Sequence, residues 1–152
     1  MSSPMSGGVW GPQVRPIPRL LASLPCEDAA ASAGLADGRL SLQRVFFDLY
    51  AARFPAGFDR LVVANLWSGG EGSYRVTVRL LQPDGNEVAR GEADLVAQPE
   101  PVTVAQVVYF PGLVLPVAGK YAVEVWVDGA PVHVYALHVV EVKPPTGDGG
   151  ER

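Results

Sequence analysis

The chain has 152 residues and a mass of 16.1 kDa, enough for one domain with a sizeable core. Twelve basic against sixteen acidic side chains give a net charge of −4 and a pI near 5.1. That balance argues against a surface built chiefly for nucleic acid or for an anionic membrane. Gly (17) and Pro (14) are too frequent for a helical bundle and too aperiodic for collagen, so short strands joined by many turns are expected.

Met1–Pro18 is rich in Ser, Gly and Pro around a lone Trp10 and has no apolar stretch behind a charged start. It reads as a flexible arm rather than a signal peptide. Arg19–Leu24 is a first short strand, ended by Pro25. Asp28–Gly38 is a turn region, in which Ala29–Ala36 could form at most a helical turn or two. Leu40–Tyr50 and Leu61–Trp67 are the next strands, and the second closes on the glycine-rich Ser68–Ser73. Ser73–Gln82 alternates cleanly, with Tyr74, Val76, Val78 and Leu80 against Arg75, Thr77, Arg79 and Leu81. Pro83-Asp84-Gly85-Asn86 is a turn, and Glu87–Leu95 is polar enough for a sheet edge. Val104–Phe110 follows. Lys120–Asp128 sets Tyr121, Val123, Val125 and Val127 against Ala122, Glu124 and Trp126. Asp128-Gly129 is a hairpin signal before the last strand, Val132–Val142. The tail 144–152 lacks core-forming residues and is expected to be disordered.

The expected organisation is therefore an arm (1–18), a β-sandwich domain (19–143) and a tail (144–152). The fold class is all-β: an antiparallel sandwich of about seven or eight strands, with a closed barrel as the alternative. Gly119 and Tyr121 sharpen it. A Tyr two residues after a Gly at a strand start has the spacing of the tyrosine corner of immunoglobulin-like sandwiches, in which the phenol bonds backbone just upstream. Both residues are then structural, and the Val123 side of the strand faces the core.

The segments RLLASLPCEDAAASAGLADGRLSLQRVFFDLYAARFP, LQPDGNEV and FPGLVLPVAGKYAVEVWVDG together resemble a bacterial family of unknown function. The likeness runs from Arg19 to Val142 and lies in strand pattern and turn punctuation. It implies an immunoglobulin-like sandwich and carries over no catalytic residue.

Reactive constellations are not legible. Cys26 is the only cysteine, which excludes an intrachain disulfide and suits a reducing cytoplasm. Its neighbours Glu27 and Asp28 would raise its pKa, so it is expected to be inert. His133 and His138 are five apart on one strand and point to opposite faces, which separates them as metal ligands. No G-x-S-x-G elbow and no phosphate loop occur. No enzyme activity, cofactor or metal is expected. Ten Arg against two Lys, with abundant Ala, Gly and Pro, suggest a GC-rich bacterial genome.

The surface alternation is the remaining signal. With Val132, Val134 and Ala136 taken as inward, an outward sheet face would carry Trp126, Tyr135, Leu81 and Leu137, edged by Arg75, Arg79 and Glu124. Aromatic, aliphatic and Arg side chains together have the composition of an interface hot spot. The expected function is a non-enzymatic structural or protein-interaction domain in the cytoplasm. Its partner is a protein, chiefly a second copy of itself, with no nucleic acid and no membrane. The alternative is a small-ligand or metal-binding sandwich using loops at one end, such as Phe54–Phe58 and Phe110–Leu115.

Overall fold

A computed structural model describes residues 15–31 and 39–143. They form nine strands: β1 (Arg19–Ala31), β2 (Leu40–Val45), β3 (Asp48–Ala51), β4 (Ala56–Ser68), β5 (Gly72–Leu81), β6 (Glu87–Ala97), β7 (Thr103–Leu115), β8 (Gly119–Val127) and β9 (Ala130–Glu141). Among the described residues there is no helix, and hence none long and apolar enough to cross a membrane. One sheet has the order β2-β1-β4-β7; the other, β3-β9-β8-β5-β6, curls into half a barrel. All pairings are antiparallel except β3 with β9.

Two differences from the sequence reading concern strand ends. β1 runs through Pro25 instead of stopping there. The Pro25 carbonyl accepts the Phe46 N–H at 2.8 Å, so its missing donor faces the end of β2 and no β4 bond is lost. Leu40–Tyr50 is not one strand but two. The chain leaves the first sheet after Val45 and joins the second at Asp48. The expected helical turn within Ala29–Ala36 is strand as far as Ala31, and the rest of it lies outside the described residues.

The main core lies between the sheets. β4 and β7 supply Leu61, Val63, Trp67, Val108 and Phe110, and the second sheet answers with alternate residues of β5 and β8, from Tyr74 to Leu80 and from Tyr121 to Val127. A row of polar side chains crosses this core. Ser23, Asn65 and Gln106 are cross-strand partners on the inward faces of β1, β4 and β7. Ser23 Oγ lies 3.1 Å from Tyr135 OH on β9. At the other edge Gln106 accepts the Trp67 indole N–H at 2.9 Å and donates to Asp94 O on β6 at 3.0 Å. The row thus fastens the two sheets at both margins. Asn65 Nδ2 donates to Gln106 Oε1 at 3.4 Å, while Asn65 Oδ1 is buried with no hydrogen-bond partner. Where β6 meets β7 the backbones approach so closely that a Cβ on Gly91 would fall 2.6 Å from Val108 Cγ1.

Arg15–Pro18, assigned from sequence to the arm, lie against the ends of the strands. The Arg15 guanidinium sits 3.9 Å above the Tyr74 ring and donates to Ser73 O and to Asp128 Oδ2, each at 2.8 Å. Tyr74 OH donates to Pro16 O at 2.8 Å. Residues 1–14 and the tail 144–152 lie outside the described residues.

Candidate interaction surfaces

The β8–β9 hairpin decides which side chains the second sheet displays. Asp128 (φ 47°) and Gly129 (φ 83°) form its two-residue turn, and the ladder opens with Val127 opposite Ala130 and Trp126 opposite Pro131. The next pair is Val125 with His133, so Val132 is an extra, bulged residue. In the unbulged register Val132, Val134 and Ala136 would oppose Val125, Val123 and Tyr121 and point inward. One inserted residue reverses the faces. Tyr135 and Leu137 instead share the inward side with Val123 and Tyr121.

This corrects the expected surface at two residues. Leu137 is 1% exposed and belongs to the core. Tyr135 is half-buried against that core, with its hydroxyl on Ser23. Burial pushes its phenol up to about 12, the Ser23 hydrogen bond pulling the other way. Outward from β9 point Val134, Ala136, His138 and Val140, all of them exposed.

The remaining expected residues do share the outward face, and they bind one another. Arg75 pairs with Glu92 (2.8 Å) and Asp94 (2.9 Å) across β5 and β6. Arg79 bridges Glu87 (2.7 Å) and Glu124 (3.0 Å). The Trp126 indole N–H donates to the same Glu124 oxygen at 3.0 Å, and the Arg79 guanidinium lies 5.5 Å from the Trp126 ring centre. Trp126 is therefore half-buried by its own neighbours. A depression of about 250 Å³ remains between Thr77, Arg79, Arg90 and Trp126. Leu81 lies beside Ala122, its partner on β8.

Beyond this charged half the face turns apolar. Tyr50 on β3 and Val140 on β9 are direct partners, and Tyr50 is 58% exposed. Val134 is 57% exposed. Ala122 and Ala136, also partners, form the low floor of a groove of about 390 Å³ walled by Val134 and Lys120. His138 Nδ1 and Asp48 stand 3.8 Å apart at its end. The sequence reading missed Val134 and Val140 because both phases of Val132–Val142 are apolar, and Tyr50 because Leu40–Tyr50 reads as one strand but forms two in different sheets.

At the start of β8, Tyr121 OH donates to Val117 O at 2.6 Å and accepts the Val117 N–H at 3.3 Å. Gly119 has φ +142°, and a Cβ there would sit 2.6 Å from Pro83. Cys26 is fully buried. Burial, then the Asp28 charge, pushes its thiol up, away from reactivity. His133 packs near Tyr135, with ring centres 5.7 Å apart. Among the described residues no three His, Cys, Asp or Glu side chains group to hold a metal ion.

The architecture is that of an all-β protein whose two sheets share one core and whose outer surfaces are sheet faces. Residues 21–140 match the model of a family of unknown function, DUF6941, and the chain belongs to that family. No curated protein matches the chain.

Proposed function

We propose that this is a non-catalytic interaction domain that associates with itself through the outward face of its five-stranded sheet. The observation that carries the reading is the row of exposed side chains along the outward side of β9, Val134 and Ala136 at the groove and Val140 beside Tyr50, with His138 between the two parts. Exposed aliphatic and aromatic side chains beside a rigid Arg–Trp–Glu network are the chemistry of an interface centre with a polar rim. The charges on that network are already paired, so two copies of the face meet without like-charge repulsion.

We read the fold as an immunoglobulin-like sandwich. Two features support it. The order β9-β8-β5-β6 corresponds to the G-F-C-C′ order of variable-type domains, and Tyr121 opens the strand equivalent to F, where the tyrosine corner belongs. A bacterial cytoplasmic setting accords with the Arg-rich composition and the single buried thiol.

The test is the solution mass of the full chain by size exclusion with light scattering. Association that Val134→Lys weakens at least tenfold is expected, with the thermal midpoint unchanged. A monomer at every concentration up to the millimolar range would overturn the reading.

A further inference from the structure

We infer that the outward face of the four-stranded sheet is a second surface for pairing with another copy of this chain. It stands independently of the proposal for the five-stranded sheet, because a different strand carries it. An antiparallel sheet with water on one side alternates apolar and polar residues. β4 does not: Leu61, Val63 and Trp67 enter the main core, while Val62 and Ala64 point the opposite way and are buried in a second cluster with Cys26 and Ala29. Leu40, Leu42 and Val45 of β2 pack on that cluster and close part of the face.

The rest has no cover among the described residues. Next to Ala64 lie its partners Leu24 on β1 and Val107 on β7, and next to Val62 lies Tyr109. Leu24 is 41% and Tyr109 57% exposed, and Leu66 and Val107 are half-buried. The charges stand at the two ends, in pairs of opposite sign: Arg60 with Asp28 (2.6 Å) and Arg44 with Glu27 (3.3 Å) at one, Arg19 with Glu100 (3.6 Å) at the other.

This arrangement selects the occupant. A partner carrying one sign of charge would find no counter-field in the middle of the face. A second copy rotated by two-fold symmetry brings an uncharged centre to an uncharged centre, with both signs available at each rim. Three open strands at ~4.8 Å spacing and about 25 Å of length give roughly 350 Å² per partner, the scale of a weak contact that forms as concentration rises.

The two outward faces lie on opposite sides of one core. Pairing each with its own kind alternates two contacts along a line and never closes. Together with the pairing proposed for the five-stranded sheet, on which this consequence rests, the second surface makes the chain a linear polymer former whose growth stops when either face is blocked.

The experiment compares solution masses over a hundredfold concentration range for the full chain, Leu24→Lys, Val134→Lys and the double variant. Thermal midpoints and near-UV circular dichroism check that each is folded, and Tyr109→Lys replaces Leu24→Lys if the latter is not. The expected result is a wild-type mass that rises beyond two chains, single variants that stop at two, and a double variant that stays at one. Folded Leu24→Lys or Tyr109→Lys growing like wild type overturns the second surface. A wild-type dimer that only Val134→Lys dissolves also overturns it, and leaves the proposed function intact. A dimer that only Leu24→Lys dissolves upholds this surface and defeats the other. Monomers throughout defeat both.

Discussion

Gln106 Nε2 on β7 donates to the carbonyl oxygen of Asp94 on β6 at 3.0 Å, while its Oε1 accepts the Trp67 indole N–H. At this margin a side chain does what a neighbouring strand's backbone does elsewhere. Gln106→Leu leaves the buried Trp67 N–H without its acceptor, and the expected destabilisation is about 1–3 kcal/mol. Urea unfolding should show a lower midpoint for Gln106→Leu and an intermediate one for Gln106→Glu. A Gln106→Leu midpoint equal to wild type would mean that the side-chain seam contributes nothing.

The bulge at Val132 makes a paired prediction on one strand. Leu137→Asp puts a charge into the core and should prevent folding, costing more than about 4 kcal/mol. Val134→Asp, three residues away on the exposed face, should stay within about 0.5–1 kcal/mol of wild type in a monomeric sample. The reverse ranking by thermal unfolding would restore the unbulged register.

Arg15 joins the segment before β1 to the start of β5 and to the β8–β9 turn, more than fifty residues further on, through Ser73 O and Asp128. Much of its side chain remains in water, so the ion pair itself contributes little. The ring stacking and the backbone acceptor add to it. Arg15→Ala should lower stability by about 1–2 kcal/mol, and Arg15→Lys should recover only part of this, because an ammonium lacks the planar fork. Full recovery by Lys in a denaturation series would reduce the contact to simple charge.

Alkaline pH should destabilise the protein through Tyr135. Its folded phenol titrates at about 12, against about 10 in the unfolded chain. Below pH 10 both states keep the proton and this group adds no pH dependence. Between about pH 10 and 12 the unfolded state ionises first, so stability falls as pH rises. Tyr121, also pushed up by burial, acts in the same direction. Urea midpoints from pH 9 to 11 should decline more gently for Tyr135→Phe than for wild type, and an unchanged slope would contradict this.

The regions legible in the sequence were those where one phase of the alternation is polar. In Ser73–Gln82 the arginines at 75 and 79 leave only one inward choice, and the buried side is Tyr74, Val76, Val78 and Leu80. The Asp128-Gly129 turn was equally readable, since both residues take positive φ. The last strand was not. Val132, Val134, Ala136 and Val140 are as apolar as Tyr135, Leu137 and Val139, and composition cannot locate an extra residue between them. The second surface left a trace that went unread: Leu61-Val62-Val63-Ala64 has no polar phase at all, which is the pattern of a strand with apolar matter on both sides. The division of Leu40–Tyr50 between two sheets had no comparable signal beyond its length.

The bulge also bears on how surfaces of this family diverge. The side of β9 that meets water is set by whether the residue between Pro131 and His133 is held out of the ladder as a bulge. A one-codon deletion at Val132 would keep Val125 opposite His133 and leave Val134, Ala136 and His138 displayed, whereas drawing Val132 into the ladder would display His133, Tyr135 and Leu137 instead. Hairpin length and the presence of the bulge are therefore to be compared together among relatives before any surface residue is judged retained or lost.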